Sequence, residues 1–130
     1  MRYLVDTDWV IDHLHGRAQV VSRLQEFEPA GLGLSIISLA ELYEGVFGSY
    51  DPEATEIALW NVLERIHVVP LDEDICRTFA RERGRLRATG TLISDFDLMI
   101  GATAINYELT LLTNNRRHFE RLDGLRIISV

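Results

Sequence analysis

Five short apolar stretches recur along the chain, at residues 2–6, 32–37, 67–69, 110–113 and 126–130, and helical patterns fill the intervals between them. The apolar residues in these stretches do not alternate with polar ones, so both faces of each strand must be covered. Strands buried on both faces and separated by helices make a parallel sheet with helices packed on either side. The chain is therefore expected to adopt an α/β fold, a three-layer α/β/α sandwich around a short, mostly parallel central sheet.

The intervening segments have recognisable limits. Trp9, Val10, Ile11 and Leu14 form an apolar helical face closed by Gly16, and Val20, Val21, Leu24 and Phe27 form a second that stops at Pro29 and Gly31. Ser38 is expected to open a third helix with Leu39, Leu42, Tyr43 and Val46 inward, and Asp51-Pro52 a fourth that runs to Ile66. Pro70 and Asp72 introduce a long helix that ends near Thr89 and Gly90. Ser94–Tyr107 forms the next, and Asn114–Asp123 reads as polar, turn-forming chain. At 130 residues the chain suffices for one domain, 1–130, and not for two. No apolar run approaches the length of a membrane span. Asp6, Asp8 and Asp12 interrupt the apolar region an export signal would need, so the expected location is the cytoplasm. Cys76 is the only cysteine, which excludes an internal disulfide and a thiolate metal cluster, and it is expected to be a buried, inert thiol.

Three carboxylates fall where an apolar strand or loop passes into a helix. Asp6 ends the first stretch, Glu41 lies in SLAEL just after the second, and Asp97 lies in SDFDLMIGATA at the start of the helix before the fourth. In an open parallel sheet, ligands bind outside the carboxyl ends of the strands, where strand order reverses. Ser38-x-x-Glu41 and Ser94-x-x-Asp97 also fit capping boxes, in which each acid serves its own helix start. Asp6 follows Tyr3-Leu4-Val5 without such a box, so its charge calls for a compensating cation. Three converging carboxylates, with no lysine in the chain and no histidine beside them in sequence, favour a hard divalent ion. All-oxygen ligation suits Mg2+ or Mn2+ rather than zinc, and the chemistry expected there is phosphoryl.

The order LVDTD, SIISLAELYEG, DFDLMIGATA and LLTNNRRHFERLDGLRI, spread over nearly the whole length, resembles PIN domains of the VapC toxin type. The resemblance implies a PIN-like fold and a Mg2+-dependent endoribonuclease, with Mn2+ as the alternative ion. Its substrate would be RNA, and a cognate VapB-like antitoxin would keep it silent. DNA contact would come only through that antitoxin, and the expected assembly is a homodimer. Residue by residue, the resemblance places the catalytic, metal-binding acids on Asp6, Glu41 and Asp97. The chain departs from the pattern at His118, which precedes Phe119 where many such proteins carry an acid. Thr113 and Asn115 match the polar loop and could hold a water at the cation. Asp95 could supply the missing charge, or equally serve the dipole of its own helix. Asp8 stands where many such proteins have asparagine or serine, so it is given a supporting role at most.

A net charge of −7 argues at first against nucleic acid, whose phosphates are normally met by a basic face. All 13 basic residues are arginine, however, and the planar guanidinium suits phosphate or carboxylate. Arg116, Arg117 and Arg121 follow the last motif and are the expected RNA contacts. Arg77, Arg81 and Arg85 share one helical stripe flanked by Arg83 and Arg87, either a solvated face paired with Glu73 and Glu82 or a phosphate-binding rim. His13 and His15, two apart on a helix, diverge and read as surface residues. Trp9, Tyr43, Phe47 and Trp60 read as core or interface anchors. Two readings from other classes stand beside the nuclease. One is an inactive PIN domain that acts as a binding partner. The other is an aspartate-nucleophile phosphatase built on Asp6-x-Asp8, which would want a lysine that the chain lacks.

Overall fold

The computed structural model describes all 130 residues, Met1–Val130. In chain order its first half holds β1 (Tyr3–Val5), α1 (Thr7–Leu14), α2 (Ala18–Phe27), β2 (Leu32–Ser35), α3 (Ile36–Phe47) and α4 (Pro52–Leu63). Its second half holds β3 (His67–Val69), α5 (Glu73–Ala88), α6 (Asp95–Asn106), β4 (Thr110–Leu112), α7 (Arg116–Phe119) and β5 (Ile127–Ile128). The strands form one sheet in the order β3-β2-β1-β4-β5, and every neighbouring pair is parallel. The chain lays β2 and β3 on one side of β1, then crosses to lay β4 and β5 on the other. That reversal opens a crevice beyond the carboxyl ends of β1 and β4, where ligands gather in open α/β sheets. The residues leaving those two strands are Asp6 and Thr113.

Both faces of the sheet are covered, as the unbroken apolar strands require. Val5, Leu34 and Leu112 join one core with Trp9, Val20, Leu24, Leu42 and Leu59 from α1–α4. Leu4 and Leu111, one residue away along the same strands, join the opposite core with Leu86, Leu98, Ile100 and Phe119 from α5–α7. Each such buried side chain contributes about 1.5–3 kcal/mol. Gly101 in α6 matters to the site: a Cβ there would collide with Leu122 and lie 3.6 Å from Phe119. Glycine thus allows α7 and the chain after it to lie against α6.

Several local expectations are corrected. The second strand stops at Ser35, whose hydroxyl caps α3 by accepting from the Ile37 amide at 3.1 Å. Ser38 is fully buried inside α3, and its hydroxyl has no partner. The box between Ser38 and Glu41 therefore does not form, and Glu41 sits in the second turn, free for another role. The polar segment 114–123 contains a short helix, α7. Cys76 is exposed, because the buried stripe of α5 runs through Ile75, Thr78, Glu82 and Leu86. No helix is long and apolar enough to cross a membrane.

Candidate active site

Asp6 stands at the N-cap of α1, although no capping box announces it. Its Oδ1 accepts from the Thr7 amide at 2.8 Å and its Oδ2 from the Thr113 hydroxyl at 2.7 Å. Its own amide donates to the Leu112 carbonyl at 2.9 Å, which ties the end of β1 to the end of β4. The residue is only 5% exposed. Burial, then the charge of Asp8, with a further push from Asp97, raise the Asp6 carboxyl to about 7 against the pull of the Thr113 and Thr7 hydrogen bonds. Asp8 is closer to the centre than its supporting role suggested. Its Oδ2 accepts from the Asn114 amide at 3.0 Å, the Thr113 hydroxyl lies 3.5 Å from its Oδ1, and burial raises its carboxyl too.

Glu41 approaches from α3. The Thr7 hydroxyl donates to its Oε1 at 2.7 Å, so Thr7 serves Asp6 with its amide and Glu41 with its side chain. Burial raises the Glu41 carboxyl, and the charges of Asp97 and Glu44 add to it. Asp97 enters from the first turn of α6. Its amide donates to the Ser94 hydroxyl at 3.2 Å, but its carboxylate does not return to Ser94, so only half of that capping box forms. Its Oδ2 instead meets the His118 Nδ1 at 3.2 Å and the Asn115 Nδ2 at 3.5 Å. Burial is the main cause in both cases, and the charge of Asp97 adds a smaller push to Asp6 and to Glu41, so the three acids from distant segments lie near enough to sense one another.

No three His, Cys, Asp or Glu side chains stand together as a ready-made metal cage. The donor chemistry nonetheless fits a hard divalent cation. Asp6, Asp8, Glu41 and Asp97 have no guanidinium partner, and the single basic group among them, His118, touches Asp97 alone. Four carboxylates without a countercharge suit a small ion of charge two with oxygen ligands.

Other expected residues divide between the site and its surroundings. Asp95 is turned outward, its carboxylate 62% exposed and 2.9 Å from the Arg83 Nε. Two positions from Asp97 on a helix, it cannot share that residue's face. Arg116 is spent on Glu120 at 3.0 Å and the Ser129 hydroxyl at 3.2 Å. Arg121 donates to the carbonyls of Thr91 and Leu92. Arg117 alone of those three is exposed and unpaired. Thr7 and Asn114 escaped notice in the sequence. Thr7 had a signal, since a hydroxyl directly after a strand-ending acid opens the next helix. Asn114 had none: its Oδ1 accepts from the Trp9 Nε1 at 3.2 Å and the Val130 amide at 2.9 Å, partners far away in the chain. Beside Glu41, a cleft of about 470 Å³ runs between α1, α3 and α4, with Ile11, Leu14, Leu42, Val46 and Leu59 along its walls.

Known proteins resemble this chain in sequence and in fold. The PIN domain family model matches residues 3–125. Ribonuclease VapC1 of Haemophilus influenzae (strain R2866) is 30% identical over 128 residues, covering 97% of this chain and 96% of the relative. Ribonuclease VapC1 of Methanocaldococcus jannaschii is 35% identical over 129 residues, covering 97% and 86% respectively. Among solved structures, VapBC2 from Rickettsia felis bound to a DNA fragment from its promoter superimposes with a TM-score of 0.95 at 26% identity, covering 100% of this chain and 99% of that one. With the acids at the switch point of a parallel sheet and the match running over nearly the whole length, the chain belongs to the PIN domain family.

Proposed function

We propose that this chain is the endoribonuclease toxin of a toxin–antitoxin pair. It hydrolyses RNA phosphodiester bonds with a divalent ion, Mg2+ or alternatively Mn2+, held by Asp6, Asp97 and Glu41. The observation that carries this reading is Asp6, a carboxylate 5% exposed, raised to about 7 and faced by further acids where a structural site would place a guanidinium. A bound ion of this kind supplies Lewis acidity and charge neutralisation at a phosphodiester. The protein's own groups do the positioning. Thr7 and Thr113 orient Asp6 and Glu41, while Asn115 and His118 hold one oxygen of Asp97 and leave the other for ligation. His118 thus acts as an orienting group where many relatives carry a fourth acid. Asp95 has no part in the site.

The relatives named ribonuclease support the reaction, and the Rickettsia felis complex supports the partner. The partner is a cognate VapB-like antitoxin, and contact with DNA belongs to the antitoxin. Its tail would fill the apolar cleft beside Glu41, where an arginine fork could engage two of the uncompensated carboxylates and exclude both ion and RNA. A homodimer is supported by Phe47, Tyr50, Ile57 and Trp60, which are 72%, 106%, 49% and 50% exposed on and between α3 and α4.

The test is sequencing of RNA ends produced by the purified chain with Mg2+, beside Asp6→Asn and a chelated sample. Discrete ends are expected from the wild type alone. Equal activity of Asp6→Asn removes the acidic site, and a wild type that binds RNA without cutting it supports the non-catalytic PIN reading. Sedimentation of the same preparation at micromolar concentration should give a dimer, and a monomer would remove that element alone.

A further inference from the structure

Most arginines of this chain are committed inside it, to carboxylates, to carbonyl oxygens or to aromatic rings. Arg77, Arg81, Arg87 and Arg117 have no such partner, and all four are exposed. Three of the four lie on the outer face of α5, in a protein whose net charge is −7. The fourth lies on α7, next to His118, whose ring touches Asp97.

The chain that follows α7 is tied to α5 by a network that the acidic site does not use. Glu82 is 5% exposed and accepts from Arg85 at 3.0 and 3.2 Å and from the Asp123 amide at 2.9 Å. Arg85 also donates to the Arg121 carbonyl at 2.7 Å, and Arg121 reaches back to the carbonyls of Thr91 and Leu92 between α5 and α6. Arg77, Arg81 and Arg85 follow at four-residue spacing, so their stripe leads from this junction about 12 Å along α5. The helix that carries Arg77, Arg81 and Arg87 is thus tied to the chain just after α7, and α7 carries Arg117 beside His118, whose ring touches Asp97.

We propose that Arg117, Arg81 and Arg77 form a guanidinium track for successive phosphates of the single RNA strand leaving the acidic site, with Arg87 on the far edge of the same helix. The proposal rests on the ribonuclease reading. Net charge does not oppose it, because at physiological ionic strength charges are screened beyond about 8 Å, and a phosphate on the track senses the local charges, which are the arginines with Glu73 and Asp74 one turn before Arg77. Between them α5 exposes Ala80, Gly84 and Ala88, and a Cβ at Gly84 would meet nothing within 4 Å. Such a flat face lets a phosphate backbone approach, and it lacks the apolar or aromatic anchors that a protein partner needs.

The test measures binding of a fluorescent single-stranded RNA to Asp6→Asn protein, which does not cut, across a range of salt. Arg77→Gln/Arg81→Gln is compared with Arg23→Gln/Arg65→Gln, which removes equal charge from the opposite layer. The track pair should weaken binding about tenfold and reduce the slope of log affinity against log salt by about 1.4, two contacts at about 0.7 each. The control pair should leave the slope unchanged. Equal slopes for the two pairs overturn the track. So does loss of a co-purified antitoxin with RNA affinity intact, which assigns the face to protein. Cleavage of the same RNA by the wild type is scored separately. Cleavage with equal slopes removes the track alone, whereas a wild type that neither cuts nor binds RNA removes the ribonuclease reading as well.

Discussion

Asp6 and Glu82 are equally buried, each 5% exposed, and their surroundings treat them in opposite ways. For Glu82, burial raises the carboxyl, but the Arg85 hydrogen bond, the Asp123 amide and nearby guanidinium charge outweigh it, and the group ends below its ordinary value of 4.5. For Asp6, burial is reinforced by Asp8 and Asp97, and two hydrogen bonds fail to offset it. Burial alone therefore says little about purpose. A carboxylate whose countercharge is built into the fold holds structure, and one surrounded by other acids depends on a cation from outside. Linkage turns this into opposite pH dependences. Asp6, raised from 3.8 to about 7, binds its proton more tightly when folded, so its contribution is present at low pH and is lost as pH rises through that window. Glu82, lowered, contributes above its unfolded value and loses that contribution as pH falls.

The largest effect is expected from Asp6→Asn. At pH 7 without divalent ions it should stabilise the fold by roughly 2–4 kcal/mol and reduce the decline in stability between about pH 4 and 7, leaving the part that the raised Asp8 and Glu41 carboxyls contribute. Urea unfolding at pH 4.5 and 7 in chelator measures this. A variant less stable than wild type at pH 7 would make Asp6 a structural cap like Asp72, which caps α5 by accepting from the Ile75 amide at 2.8 Å, and erase the contrast with Glu82.

The next effect sharpens the contrast from the side of the ion. Mg2+ or Mn2+ at about a hundredfold over its dissociation constant should stabilise the wild type by about 2.7 kcal/mol. Glu82→Gln should keep this gain and Asp6→Asn should lose it, as read by thermal unfolding with and without metal. An equal shift in all three proteins would place the ion somewhere other than the acidic crevice.

The smallest effect belongs to Glu82→Gln itself. Weakening its bonds to Arg85 and the Asp123 amide should cost about 1–3 kcal/mol. That loss should be seen at neutral pH and shrink in acid, while RNA cleavage per folded molecule stays near wild type provided the variant remains folded. A collapse of cleavage in this variant would join the two regions into one functional unit.

Particular residues show how far the chain could be read before its structure was known. Asp6, Glu41 and Asp97 could be singled out because Asp6 ends β1 where α1 begins, Glu41 lies in the second turn of the helix that follows β2, and Asp97 lies in the first turn of α6 after a loop, and such boundaries are marked locally by an apolar run ending in a cap or a helical period. The layers were visible for the same reason: Leu4 and Val5, both apolar and adjacent, demand a covered sheet on each side. The partners of Asp95 and Arg121 could not be read from the chain, since they are Arg83, twelve residues away, and the carbonyls of Thr91 and Leu92, about thirty residues away. Ser38 was taken for a cap because Ser35, three residues earlier, offers the same hydroxyl, and only the packing of α3 against the sheet selects between them.

The sequence by itself determined the alternation of short buried strands with helices, the presence of acids at or near the helix starts, and an arginine-only basic complement. Each of these depends on local periodicity or on residue chemistry, which a chain carries in any conformation. The tertiary structure decided that Thr7 and Thr113 hold the acids, that His118 turns to Asp97, that Glu82 is buried beneath a partly exposed Arg85, and that Arg77, Arg81, Arg87 and Arg117 are left unpaired. The physical reason is range. Hydrogen bonds and ion pairs act over a few ångströms between groups as many as 107 positions apart, and a helical period reports the face a residue occupies on its own helix without reporting what packs against that face.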